Sequence, residues 1–125
     1  MPSNAQRGAL AKARTKKWLI AQGYQVVDME KVHYIYTPKG MLPIKRDQLG
    51  SDILAVLKHD RFDGAVFPHE IVFVQVKSGA SAAGGTFPAA RRKFAEFDFP
   101  STTSQVVIAW VPRARQPRIV DCTAP

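Results

Sequence analysis

Two short runs, GSDILAV (residues 50–56) and FVQVKSG (residues 73–79), carry polar groups where strand-like sequence is otherwise apolar. Asp52 heads the first; Gln75 and Lys77 sit two apart in the second. Burying such groups without partners costs free energy. They therefore face water, or they face something that needs them. Side chains alternate along a strand, so Ile71, Phe73, Gln75 and Lys77 share one face, and Val72, Val74 and Val76 the other. If the two runs pair as a hairpin about Asp63 and Gly64, a carboxylate, an amide oxygen and an ammonium converge at one place. Phosphodiester hydrolysis uses such a set. The two oxygens of Asp52 and Gln75 suit Mg²⁺ or Mn²⁺. The metal polarises the phosphoryl group and lowers the pKa of a bound water. The Lys77 ammonium orients that water or stabilises developing charge.

Plainer roles stay open beside these. Asp52 could cap a turn before a strand. Gln75 and Lys77 could end an edge strand, where lysine discourages aggregation. Ser78 could hydrogen-bond a phosphate or simply begin a loop.

The elements that must position these residues follow from patterning. SNAQRGALAKARTKKWLIAQG (3–23) reads as a helix, capped by Ser3 or Asn4 and ended by Gly23. Its expected apolar flank is Leu10, Ala13, Trp18, Leu19 and Ile20, opposite a broad basic flank. A first strand is expected at Tyr24 to Met29, then a hairpin or extended insertion over about residues 31–48. SDILAVLK and IVFVQVK read as strands, the latter buried on both faces. SGASAAGGT reads as a loop, and FPAARRKFAEFDF as a short helix with Pro88 in its first turn. QVVIAWV and RIVDC complete the list of strands. The order predicts one α/β domain over residues 1–125, a mixed central sheet flanked by helices. Trp18 and Trp110 are expected in the core. Tyr34 and Tyr36 are expected to pack within the hairpin, with base stacking as the other use of exposed rings.

The net charge is +8 and the pI about 10.0. A balance this basic speaks of partners, and polyphosphates are the natural ones, because neutralised phosphates release counterions. Arg7, Lys12, Arg14, Lys16 and Lys17 form one basic set; Arg91, Arg92 and Lys93 form another; Arg113, Arg115 and Arg118 a third. No apolar stretch is long enough to span a bilayer. The N-terminus lacks a secretory h-region, so a cytoplasmic protein is expected, in the host cytoplasm if phage-encoded. Cys122 is the single cysteine, which excludes an intrachain disulfide. With it, His33, His59 and His69 show no zinc-ligand spacing.

Taken in order, RGALAKARTKKWLIAQGYQVVD, GSDILAV and FVQVKSG resemble the core of the PD-(D/E)XK nuclease superfamily, in its Holliday junction resolvase-like branch. The resemblance covers roughly the first 80 residues, less the insertion. Asp52 matches the motif aspartate, and Gln75, Val76 and Lys77 stand in the place of (D/E)XK. Arg7 and Gly8 match the basic-Gly pair that opens the branch's helix; Gly23 and Tyr24 match its Gly-aromatic step. The resemblance implies a restriction-endonuclease-like fold and a Mg²⁺- or Mn²⁺-dependent DNA endonuclease. It implies a branched or structured DNA substrate and a homodimer, since two strands are cut symmetrically. It assigns metal binding to Asp52 and Gln75 and assistance to Lys77. The remaining nucleic-acid contacts fall to Arg7, Lys12, Arg14, Lys16, Lys17, Ser78, Arg91, Arg92 and Lys93.

The chain departs from the pattern twice. Gln75 replaces the usual Glu, as in a few relatives such as transposon-end nucleases. Lys12 falls where the branch carries a metal-binding Glu on its first helix. Three explanations stay open. Glu96 or Glu30 supplies the missing carboxylate; Asp52 and Gln75 hold one metal alone; or the chain binds nucleic acid without cutting it. A basic protein with an acidic protein partner is a further alternative.

Overall fold

The structure is a computed structural model that describes residues 4–47, 49–58, 66–79 and 87–123. Helix α1 (Asn4–Ala21) leads to β1 (Tyr24–Asp28), a hairpin of β2 (Glu30–Thr37) and β3 (Gly40–Asp47), then β4 (Ile53–Leu57) and β5 (Ile71–Ser78). Helix α2 (Pro88–Ala95), β6 (Thr103–Trp110) and β7 (Arg118–Asp121) follow. The main sheet has the order β1-β4-β5-β6-β7, and the hairpin forms a second sheet of two strands. The pairs β1–β4, β4–β5 and β6–β7 are antiparallel, and β5–β6 is parallel, so the sheet is mixed.

Gly23 ends α1 with φ 96, a left-handed conformation that glycine adopts without a Cβ penalty. The buried stripe of α1 is Ala11, Thr15 and Leu19, spaced by four. This corrects the expected flank, because Leu10 and Ile20 are 64% and 54% exposed. A small and a β-branched polar residue fill the stripe because the helix lies against Trp110. Thr15 Oγ1 donates to Ala11 O at 2.7 Å and accepts from Trp110 Nε1 at 2.7 Å. Above the same indole, the Arg14 guanidinium stacks at 4.1 Å from the ring centroid.

The core divides along the sheet. Leu19, Tyr24, Ile53, Val72, Val74 and Ile108 belong to the cluster under α1. Phe87, Ala90, Val107 and Ala109 form the cluster under α2. Strand β6 contributes to both, and all eight of its residues are buried. β5 alternates as expected: Val72 and Val74 face α1, while Phe73 packs on Phe99 with centroids 4.7 Å apart. α2 stops at Ala95, short of the expected Phe99, and Phe97 and Phe99 turn back as an aromatic group with Phe94.

The insertion is the β2–β3 hairpin, closed by Thr37, whose hydroxyl donates to Gly40 O and accepts from Lys39 N. Tyr34 and Tyr36 are 63% and 86% exposed, with Met41 opposite Tyr36. The rings stand in solvent instead of packing as expected. Ser3, His59, Asp63, Gly64 and most of SGASAAGGT lie outside the described residues. Among the described residues no helix is long and apolar enough to cross a membrane.

Candidate functional site

Asp52 sits just before β4, at a local irregularity of the ladder. Ile53 is the register partner of Val74, yet the Asp52 N–H donates to the same Val74 carbonyl at 2.8 Å. Two residues thus oppose one, the arrangement of a β-bulge, which re-aims side chains and ends regular pairing. The Asp52 carbonyl accepts from Met29 N at 2.9 Å, fixing it to the chain leaving β1. Its carboxylate then takes over where the backbone ladder stops: Oδ2 accepts from Val76 N at 2.7 Å. With the residue 7% exposed, this hydrogen bond holds a buried carboxylate in place.

One strand over, Gln75 Oε1 is buried with no hydrogen-bond partner among the described residues. Leaving such an oxygen unpaired costs about 1–3 kcal/mol. Asp52 and Gln75 line one cavity of about 430 Å³, together with Lys12 and Lys16 of α1, Glu30 and Ser78. The cavity lies where α1 crosses the irregular end of the β4–β5 pair.

Lys12 reaches across that end. Its ammonium lies 2.6 Å from Asp28 Oδ1 and 3.3 Å from Glu30 Oε1, and Lys16 adds a longer pair to Asp28 Oδ2 at 3.4 Å. Burial pushes the Lys12 pKa down. The hydrogen bond to Asp28 and the charges of Glu30 and Asp28 outweigh it and hold the pKa above the ordinary lysine value. For Asp28, burial pushes up, and the Lys12 hydrogen bond, the Glu30 N–H and the two lysine charges hold it below the usual carboxylate range. A depressed carboxylate stabilises the fold above its unfolded pKa and loses that contribution as pH falls through the folded value. A raised lysine stabilises below its unfolded pKa and loses the contribution as pH rises through the folded value. The Lys12–Asp28 pair is therefore expected to contribute fully from about pH 5 to pH 10. Because Asp28 is half-exposed, the contribution is about 1 kcal/mol at most. Urea unfolding of wild type and Lys12→Met across pH 3–10 measures it: the difference should stay level in mid-range and shrink in acid. A constant difference down to the lowest pH would count against the assignment.

The other expected site residues divide by face. Alternation puts Lys77 on the side of β5 turned towards α2; its β6 partner Ala109 belongs to that cluster. Lys77 is partly buried and does not line the cavity. Glu96 caps the C-terminal end of α2, with its side chain 61% exposed and 3.8 Å from Lys93, and it too lies away from the cavity. Of the two migrated-acid candidates, Glu30 lines the cavity and Glu96 does not. Arg7, Arg14 and Lys17 are exposed on α1, and Arg91, Arg92 and Lys93 on α2.

Among the described residues no three His, Cys, Asp or Glu side chains group to hold a metal ion. Mg²⁺ needs less than that from protein, because it keeps several waters and takes one or two protein oxygens. Gln75 and Asp52, both on the cavity wall, carry the oxygen donors that this smaller demand takes.

Asp28 was not among the residues singled out from sequence. Its signal was present: Lys12 and Lys16, one turn apart on the helix, precede a strand that ends in an acid.

No family model, curated protein or solved structure matches this chain. The residues and their geometry therefore carry the functional reading.

Proposed function

We propose that the chain is a metal-dependent DNA endonuclease on a restriction-endonuclease-like fold, of the resolvase-like PD-(D/E)XK kind, acting as a homodimer on branched or structured DNA. The observation that carries this reading is the cavity that Asp52 and Gln75 both line, with the Gln75 amide oxygen buried and without a hydrogen-bond partner among the described residues. The α1–β1 order supports it. The helix that holds Arg7 and Gly8 ends at Ala21, Gly23 closes the turn after it, and Tyr24 opens the first strand. The charge of +8 and the exposed arginines and lysines of both helices suit a phosphate backbone.

In this reading Asp52 and Gln75 hold Mg²⁺ or Mn²⁺. The metal supplies a polarised phosphoryl oxygen and a more acidic water. Val76 N–H fixes the Asp52 carboxylate, so the group is presented in one orientation. Ser78, at the end of β5 and on the cavity wall, is the residue to which this reading gives a phosphate contact. Lys77 lies off the cavity wall, so in this reading its flexible four-carbon stem carries the ammonium round the strand from the α2 side to assist the attacking water.

A second reading, a catalytically silent nucleic-acid-binding module, draws on one observation: Lys12 already pairs with both Glu30 and Asp28 beside the cavity. The decisive experiment incubates the purified protein with four-way junction, flap, single-stranded and linear duplex DNA, in Mg²⁺, Mn²⁺ or EDTA. Metal-dependent cleavage that falls about a hundred-fold or more in Lys77→Ala supports the nuclease. Salt-sensitive binding without cleavage supports the module. Absence of binding to every substrate excludes both.

A further inference from the structure

A second cavity, of about 590 Å³, lies on the other side of α1 from Lys12 and shares Ala11 and Ser78 with the first. It opens at the carboxyl ends of the parallel strands β5 and β6, beyond Ser78 and Trp110. Crevices outside the carboxyl ends of parallel strands are favoured ligand sites in α/β sheets. Arg7, Arg14 and Arg113 line it, with Leu10, Trp110 and Pro112 as an apolar wall, and among the described residues no acidic side chain lines it. Arg14 is fixed twice, by its stack on Trp110 and by a 2.6 Å hydrogen bond to Ala114 O.

Arg113 has the less ordinary backbone. Ala114 N donates to Val111 O at 3.1 Å, closing a four-residue turn with Pro112 second and Arg113 third. The φ of Arg113 is 68. A turn with proline second and positive φ third is the kind that reserves its third place for glycine. Phe87 also has positive φ, at 53, but that residue is buried in the core under α2. Arg113 is exposed, so packing does not hold it in the left-handed region. A strained residue at such a place points to a function for its side chain.

We propose that this cavity is a phosphate subsite for the nucleic-acid strand, with Arg113 as the residue that pairs with the phosphate at the cavity mouth. The guanidinium fork matches phosphate oxygens two at a time. The shared wall at Ala11 and Ser78 makes the subsite continuous with the Asp52–Gln75 cavity, so one strand passes over both. This inference rests on the nucleic-acid reading above.

The test is binding in EDTA, where no cutting intervenes. Fluorescence anisotropy of labelled single-stranded and four-way junction DNA is followed against salt for wild type and Arg113→Gly. The variant is expected to bind about ten-fold more weakly. The slope of log affinity against log salt should lose about 0.7 to 0.9, one phosphate's share. Its Tm should equal or exceed that of wild type, since glycine suits the turn. Oligonucleotides with and without a terminal phosphate identify the source. A loss confined to phosphorylated ends means a terminal phosphate; an equal loss means an internal phosphodiester, and either supports the subsite. Unchanged affinity and slope, with wild type binding normally, overturn the subsite and leave the nucleic-acid reading standing. A lowered Tm overturns the strained-turn argument. A wild type that binds no nucleic acid removes both readings together.

Discussion

Asp52→Asn is expected to lose at least about a hundred-fold in metal-dependent cleavage while the fold stays near wild-type stability. The reasoning separates two jobs held by one side chain. Towards the protein, Oδ2 accepts from Val76 N and completes a ladder that the bulge has interrupted. Asparagine still presents an oxygen there. Towards the cavity, the carboxylate supplies a negative charge; Glu30, which pairs with Lys12, is the other acid among the described lining residues. Asparagine removes that charge. Asp52→Ala removes both functions and leaves the Val76 N–H without its acceptor, at about 1–3 kcal/mol. Urea unfolding and a junction-cleavage assay on the pair give four numbers. Equal stability loss in the two variants would count against the ladder role. Normal cutting by Asp52→Asn would remove the metal role.

The fold was legible where period and composition agree. β5 shows this best. Val72, Val74 and Val76 on one face and Phe73, Gln75 and Lys77 on the other follow from alternation, and the two core clusters lie on those faces. The α1 stripe was misread because hydrophobicity was taken as burial. Leu10 and Ile20 are the more apolar residues, but Thr15 can accept from the Trp110 indole, and that long-range partner is invisible in a local window. The site was half legible. Asp52 and Gln75 line one cavity because β4 and β5 pair, as patterning required. Lys77 does not join them on the cavity wall, although alternation gives it the same face of β5 as Gln75: the wall takes in Gln75, Val76 and Ser78 from the end of the pairing that the bulge at Asp52 interrupts. A bulge adds one residue without a composition signal, so sequence spacing alone could not announce it. Lys12 posed the opposite problem. Compared with the resemblance it marked a missing acid. In the fold it closes a charge cluster with Asp28 and Glu30, whose positions depend on where β1 ends.

That cluster makes Lys12→Glu the other substitution with a large expected effect. The Lys12 side chain is 15% exposed and sits between two carboxylates, next to a cavity that Asp52 also lines. Reversing its charge removes both ion pairs and brings a third acid to Asp28 and Glu30. In EDTA at neutral pH the variant is expected to lose about 2 kcal/mol or more, because partly buried like charges repel and Lys16, the cation left beside Asp28, does not offset three of them. At least one of the crowded carboxyls should then titrate above its ordinary value. A raised carboxyl pKa favours the folded state at low pH, so the deficit should shrink as pH falls through the raised value. A divalent cation should do the same at neutral pH. Binding to the folded state alone returns about 2.7 kcal/mol at a hundred times Kd. Thermal unfolding in EDTA, Mg²⁺ and Mn²⁺ measures the effect, with wild type as the control. A Tm in Lys12→Glu that rises with metal much more than in wild type places the acids and Gln75 around one cation position. A Tm indifferent to metal means that these oxygens do not converge. The cleavage assay on the same variant then separates charge from geometry. Faster cutting than wild type shows that the lysine's charge limits the site; metal binding without faster cutting shows that the position of Lys77 does.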